Sequence, residues 1–253
     1  MKLLDYLNRI DYTRNVKANL ETLRGLQTAH MLTVPFENLD IGLHRPIQLD
    51  EKSLWGKLIT HNRGGFCYEL NGLFAWLLNT IGFEVTYLDA RVYSKKDDTF
   101  GMDFDHLTLM VRIPHESTRW LVDVGFGDSF TQPLNIDDTN EQVQDLRGYW
   151  LEPFNNGYQL WQRNYDGSRE RLYFFDLTPR HFPDEYLDVC LYHQTSPESI
   201  FTRKRIITRL MANGRISLDN EKLIITSNGE RTTQEVKEEE RTSLLKKYFN
   251  VTL

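Results

Sequence analysis

Three side chains that together make a sulfur nucleophile occur in this chain in the order Cys67, His106, Asp123. In such a set the thiolate attacks an acyl carbon and the imidazole takes the thiol proton. The carboxylate fixes the imidazole tautomer and stabilises its cation. Cys67 stands in Arg63-Gly64-Gly65-Phe66-Cys67-Tyr68-Glu69, directly before a strong helical pattern. Leu70, Leu73, Phe74, Leu77 and Leu78 recur at helical spacing and Gly82 stops the run. The paired glycines let the backbone turn sharply and approach a ligand closely. Cys67 is thereby placed at a helix N-terminus, where unpaired N–H groups and the helix dipole favour an anion. That setting predicts a thiol pKa below the usual value of about 8.5.

Of the seven histidines, His30 falls in a helical stripe and His44, His115 and His181 have turn-like surroundings. His61 is separated from Cys67 by a loop. His106 opens the strand pattern His106-Leu107-Thr108-Leu109-Met110-Val111-Arg112-Ile113, which turns through residues 114–118 into Trp120-Leu121-Val122-Asp123-Val124-Gly125-Phe126-Gly127. Asp123 lies between two valines, and a buried carboxylate is costly unless paired. A histidine across the hairpin is the economical partner. The two residues are 17 positions apart, an odd number, so a regular antiparallel hairpin puts them on one face only if its loop has an even length. The odd loop 114–118 fails that test. The expectation is a four- or six-residue connection, or a bulge.

The elements around these residues divide the chain into residues 1–81, 82–195 and 196–253. The first part reads as helices: Leu3, Leu4, Leu7 and Ile10 form one stripe, and Leu20, Leu23, Leu26 and His30 form a second that Pro35 ends. Pro35 to Leu39 reads as a loop entering the interior, Ser53 as the cap of a helix reaching His61, and residues 67–81 as the helix of the nucleophile. From Phe83 to about Tyr192 the pattern is one of strands divided by Asn155-Asn156-Gly157 and Asp166-Gly167, which suggests an antiparallel meander or small barrel. Beyond Pro197 the strands 202–210, 215–218 and 222–226 precede a charged amphipathic helix over 234–249. The fold class expected is α+β.

Composition narrows the function. Hydrophobic residues make up 40% of the chain, enough for sizeable cores, and 26% charged residues fit a globular protein. No apolar run is long enough to span a membrane, and Asp5 and Asn8 interrupt the N-terminal segment, so neither a membrane anchor nor a signal peptide is expected. With Cys67 and Cys190 the only cysteines, a disulfide framework is not expected and a cytoplasmic location fits. The net charge of −6, with no basic stretch interleaved with aromatics, argues against nucleic acid. No metal is expected either.

The chain resembles the arylamine N-acetyltransferases. The resemblance is carried by Val34-Pro35-Phe36-Glu37-Asn38-Leu39, by the segment from Arg63 to Asn71, by Asp105-His106, and by Asp123-Val124-Gly125-Phe126-Gly127. It continues in Thr195-Ser196-Pro197-Glu198-Ser199-Ile200-Phe201 and in the stretch Tyr248 to Leu253, where Phe249-Asn250 stands for the family's usual Phe-Gly. Asn also tolerates left-handed geometry. The resemblance implies a helical first domain, a central β-barrel, an α/β lid, and the triad Cys67, His106 and Asp123. It implies acetyl-CoA as donor, arylamines or hydrazines as acceptors, a ping-pong cycle, and a place in xenobiotic metabolism. By the same route Phe36, Val92, Phe126 and Phe201 line the acceptor pocket, and Gly125 and Gly127 lie near bound CoA. The same three groups also serve a cysteine hydrolase, in which water resolves the acyl-enzyme, or an amide synthase of the same fold.

Overall fold

A computed structural model describes all 253 residues. The N-terminal part contains α1 (Leu3–Arg9) and α2 (Leu20–Thr33), then a two-residue strand β1 (Phe36–Glu37), α3 (Leu39–Gly42), α4 (Glu51–Trp55) and α5 (Cys67–Ile81). Asn19 caps α2, accepting from Thr22 N–H at 2.9 Å. The cap of α4 is Asp50 rather than Ser53, because its carboxylate accepts from both Lys52 N–H and Ser53 N–H. After Trp55 the chain continues to Thr60 as a π-helical turn. The segment expected as a loop after Pro35 is tied into structure: β1 forms an isolated parallel bridge to Gly65. Gly64 permits this approach, since a Cβ there would lie 2.0 Å from the Pro35 carbonyl oxygen. α5 covers the span that its periodicity predicts and ends at Gly82 in the left-handed region.

The middle part is a sheet of β2 (Glu84–Ser94), β3 (Thr99–Phe100), β4 (His106–Arg112), β5 (Arg119–Val122), β6 (Leu134–Asn135), β7 (Gln142–Gln144), β8 (Arg147–Phe154), β9 (Gly157–Arg163) and β10 (Arg169–Asp176). Eight of these strands run in the order β6-β5-β4-β2-β10-β9-β8-β7 and curl into a nearly closed antiparallel barrel, with β3 paired to β2. Side chains stitch the seam. Gln142 Oε1 accepts from Asn135 N–H and its amide donates back to Asn135 O, while Gln144 Oε1 accepts from Thr131 and Gln132 N–H. Both faces of β4 are buried. Leu107, Leu109 and Val111 join the helical core, and Met110 joins the core inside the barrel with Leu88 and Ala90. That double burial explains the nearly unbroken apolar run after His106.

The strand pattern expected as far as Tyr192 stops earlier. A 3₁₀ turn at Asp184–Tyr186 leads into α6 (Leu187–Thr195), and Tyr186 and Cys190 are buried in the helical core. Within the expected unit 82–195, Tyr186 and Cys190 thus pack in the same core as the N-terminal helices. α7 (Ile200–Arg203) occupies the start of the strand expected over 202–210, because Ser199 Oγ accepts from Phe201 N–H and caps a helical turn. A sheet in the order β1-β11-β12-β13-β14 follows, made of β11 (Ile207–Met211), β12 (Gly214–Leu218), β13 (Lys222–Ser227) and β14 (Glu230–Glu235). α8 (Glu238–Phe249) packs on it through Leu245 and Phe249. The helix expected from 234 starts later because Asn228-Gly229, both at positive φ, returns the chain as β14 paired along β13. Asn250 ends α8 in the left-handed conformation at φ 55°.

Candidate active site

The hairpin register answers the parity question. β4 pairs with β5 as Leu109↔Val122 through Arg112↔Arg119, so six residues connect the strands. This even loop puts His106 and Asp123 on one face. His106 Nε2 and Asp123 Oδ2 are 2.7 Å apart, both side chains buried. Cys67, the first residue of α5, is only 3% exposed. Gly125 brings the two halves of the site together. A Cβ there would stand 2.8 Å from Cys67 Cα and 2.7 Å from Asn71 Nδ2, so a side chain would force the chain after β5 away from α5. The space that glycine leaves on this side is therefore filled by the protein itself.

All remaining bonds to Asp123 come from residues that sequence reasoning left unassigned or treated otherwise. Oδ2 accepts a second bond from the Tyr173 hydroxyl at 3.1 Å; Oδ1 accepts from Asn71 Nδ2 at 2.9 Å and from Gly125 N–H at 2.8 Å. Asn71 also donates to Leu107 O and accepts from Val124 N–H. Its signal was present: a polar residue one helical turn after Cys67, within an otherwise apolar face. Tyr173, an aromatic residue on a strand 50 positions from Asp123, carried none. Burial acts to raise the Asp123 pKa, but the His106 partner and the Asn71 and Gly125 donors outweigh it and hold the carboxyl below its ordinary value. Burial, with the adjacent Asp123 charge, pushes the Tyr173 phenol upward, so that it remains a donor.

The thiol does not follow the expectation of a lowered pKa. Burial pushes Cys67 up, the carboxylates Asp105 and Asp123 add to that, and the Leu107 N–H directed at sulfur acts in the opposite sense. Burial disfavours an isolated thiolate at this position. An anion on this buried sulfur would need a positive charge formed beside it. Since Nε2 is bound to Asp123, Nδ1 is the ring nitrogen free of that bond.

Charged groups brace the start of α5. Glu69 accepts from Phe66 N–H at 3.1 Å and from Lys57 Nζ at 2.8 Å, and Lys57 also meets Asp40. Arg63 Nε donates to Glu37 and its Nη2 to Asp40. The Gly-Gly turn is thus held from beneath by a buried ion network, which gives Arg63 a structural role.

The aromatic residues assigned to an acceptor pocket fall into two groups. Phe126 packs edge-on against His106, with ring centroids 5.3 Å apart, and against Tyr173 at 5.2 Å. Phe201 meets Phe66, the residue before Cys67, at 5.8 Å and Phe36 at 6.3 Å. Gly127 joins the groups: at φ +93°, its Cβ position lies 3.6 Å from the Phe36 ring. Val92 pairs with Tyr173 across β2 and β10, and Ala90, two residues before it on the same face, pairs with His106. Phe36, Val92, Phe126 and Phe201 are all partly exposed, so the rings offer an apolar surface beside the buried polar cluster.

Residues 19–253 match the family model described as N-acetyltransferase. An arylamine N-acetyltransferase, a pineal gland isozyme of Gallus gallus, is 32% identical over 278 residues, covering 100% of this chain and 95% of the relative. The arylamine N-acetyltransferase of Mycolicibacterium smegmatis is 34% identical over 233 residues, covering 90% of this chain and 84% of its own. The structure of Mycobacterium marinum arylamine N-acetyltransferase in complex with CoA superimposes with a TM-score of 0.91 at 28% identity, covering 99% of this chain and 93% of that one.

Proposed function

This chain belongs to the arylamine N-acetyltransferase family, and we propose that Cys67, His106 and Asp123 carry its acetyl transfer through an acetyl-cysteine. The protein is an acetyl-CoA-dependent arylamine N-acetyltransferase. The observation that carries the residue assignment is the 2.7 Å contact of His106 with Asp123 beside the packed backbones of Gly125 and Cys67.

His106 Nδ1 takes the thiol proton as Cys67 sulfur attacks the thioester carbonyl of acetyl-CoA. N–H groups in the first turn of α5 face the developing oxyanion. The tetrahedral adduct collapses with cleavage of the C–S bond to CoA, and His106 returns the proton to the departing thiolate. An amine nitrogen then attacks the acetyl-cysteine. His106 accepts its proton, the bond to Cys67 sulfur breaks, and the thiol is restored. Asp123 stabilises the imidazolium in both halves of this ping-pong cycle. Arylamines are neutral at pH 7, so they enter an apolar pocket without first losing a proton.

Phe36, Val92, Phe126 and Phe201 form the acceptor wall in this reading, with hydrazines as further acceptors. Gly125 and Gly127 are candidate contacts for CoA in this reading, and Gly127 also borders Phe36. A cytoplasmic location is supported by two cysteines that are both free. The test is mass spectrometry of the protein after incubation with acetyl-CoA: one acetyl group is expected on Cys67. It should be absent in Cys67→Ala, retained in Cys190→Ala, and discharged by added aniline. An adduct that survives loss of Cys67 would sink the mechanism, and acetyl-CoA consumption at full rate without amine would favour a hydrolase.

A further inference from the structure

A second histidine–carboxylate pair stands behind Phe201. His193, on α6, is buried, with Nδ1 3.2 Å from Ser199 Oγ. Its Nε2 lies 3.3 Å from Asp105 Oδ1, within ion-pair reach but without the alignment of a good hydrogen bond. The imidazole meets the Phe201 ring edge-on, with centroids 5.2 Å apart and planes at 82°. Both polar partners are anchored in the site. Asp105 directly precedes His106, and its Oδ2 accepts from Val92 N–H at 3.2 Å. Ser199 caps α7 by accepting from Phe201 N–H, and Asn38 Nδ2 donates to Phe201 O at 3.0 Å.

The backbone of Phe201 is therefore held by Ser199 and Asn38, while its ring rests on Phe36, Phe66 and His193. Among these three rings, His193 alone has polar ties to both the segment leading into β4 and the cap of α7. A side chain lined up for recognition needs its rotamer fixed by such supports, since small misplacements degrade a site. We propose that His193 is a positioning residue for acceptor selection: by bracing the Phe201 ring it sets the shape of the pocket that receives the arylamine. The role requires Phe201 to line that pocket, as proposed above.

The test uses His193→Leu, which fills the site with an apolar side chain and loses both polar ties, and His193→Gln, which keeps a donor and an acceptor. The readout is the ratio of kcat/KM for a bulky polycyclic arylamine to that for aniline, with Cys67 acetylation followed separately by stopped flow. For His193→Leu the ratio should shift about two- to tenfold, with acetylation changed by less than about twofold. His193→Gln should shift it in the same direction by less, and it carries the test if the leucine variant fails to fold. In a Phe201→Ala background the leucine change should shift the ratio no further, because the residue acts through that ring. Equal losses in both half-reactions, or an unmoved ratio in a protein where Phe201→Ala does move it, overturn the role of His193 alone. If Phe201→Ala leaves the ratio unmoved, the pocket assignment fails and takes this role with it.

Discussion

The polar cluster at Asp123 and the aromatic wall at Phe201 are built on opposite plans. Cys67, His106, Asp123, Asn71 and Tyr173 are each at most 3% exposed, and four donors converge on one carboxylate. Phe36, Phe126 and Phe201 are partly exposed rings contributed by three separate parts of the chain, with contacts that are mostly dispersion. A proton-transfer system needs atoms fixed to a few tenths of an ångström and shielded from water, and directional bonds in a buried frame supply that. An apolar acceptor needs shape and contact area, which rings from several segments supply with looser geometry. Mutations should therefore separate rate from selectivity according to which region they touch.

The largest effect should come from Asp123→Asn. The amide retains size but favours the wrong imidazole tautomer and cannot balance the imidazolium, so kcat should fall on the order of 10³- to 10⁴-fold with the fold retained by circular dichroism. A folded, fully active variant would make this carboxylate purely structural. On the aromatic side, Phe201→Ser should reduce discrimination among arylamines about ten- to two-hundred-fold while acylation of Cys67 stays close to normal. Phe126→Ser should alter selection as well, yet disturb acylation more, because Phe126 packs on His106 and Phe201 does not. Equal losses in both half-reactions for Phe201→Ser would erase the contrast between the two regions.

Smaller effects probe the frame itself. Tyr173→Phe removes one of four bonds to Asp123, and kcat should fall about three- to tenfold with acceptor selection unchanged. Unaltered kcat would show that the other three donors suffice. Stability should register the depressed Asp123 pKa. The native carboxyl releases its proton more readily than the unfolded one, so its contribution is complete above the ordinary value of about 3.9 and is lost as pH falls through the lower native value. The stability gap between the parent protein and Asp123→Asn should therefore narrow below about pH 4 in urea titrations. A gap independent of pH there would remove the electrostatic account.

Much of this was legible along the chain because the signals were local. The helix from Cys67 to Ile81 follows from an apolar period and a glycine stop. An even connection or a bulge between β4 and β5 follows from the parity of 17 positions and the need to pair a buried acid; the chain uses six residues. Local signals failed where a neighbour in space chose the conformation. Phe36–Glu37 became a strand because Ile207 and Thr208 lie beside it. Residues 184–195 became helical on the first core, and 230–235 became a strand once Asn228-Gly229 had turned the chain onto β13.

Sequence by itself determined the residue types, their order and the helix that begins at Cys67, since these depend on covalent spacing and the helical period. It set only a condition, an even connection or a bulge, for His106 and Asp123 to share a face, and the folded register met it. Tertiary structure alone decided the protonation balance and the partners. The thiol pKa is raised because dense packing removes water from sulfur, a quantity that no local pattern encodes. Tyr173 reaches Asp123, and His193 reaches Phe201 and Asp105, because distant segments close on one another in the folded chain.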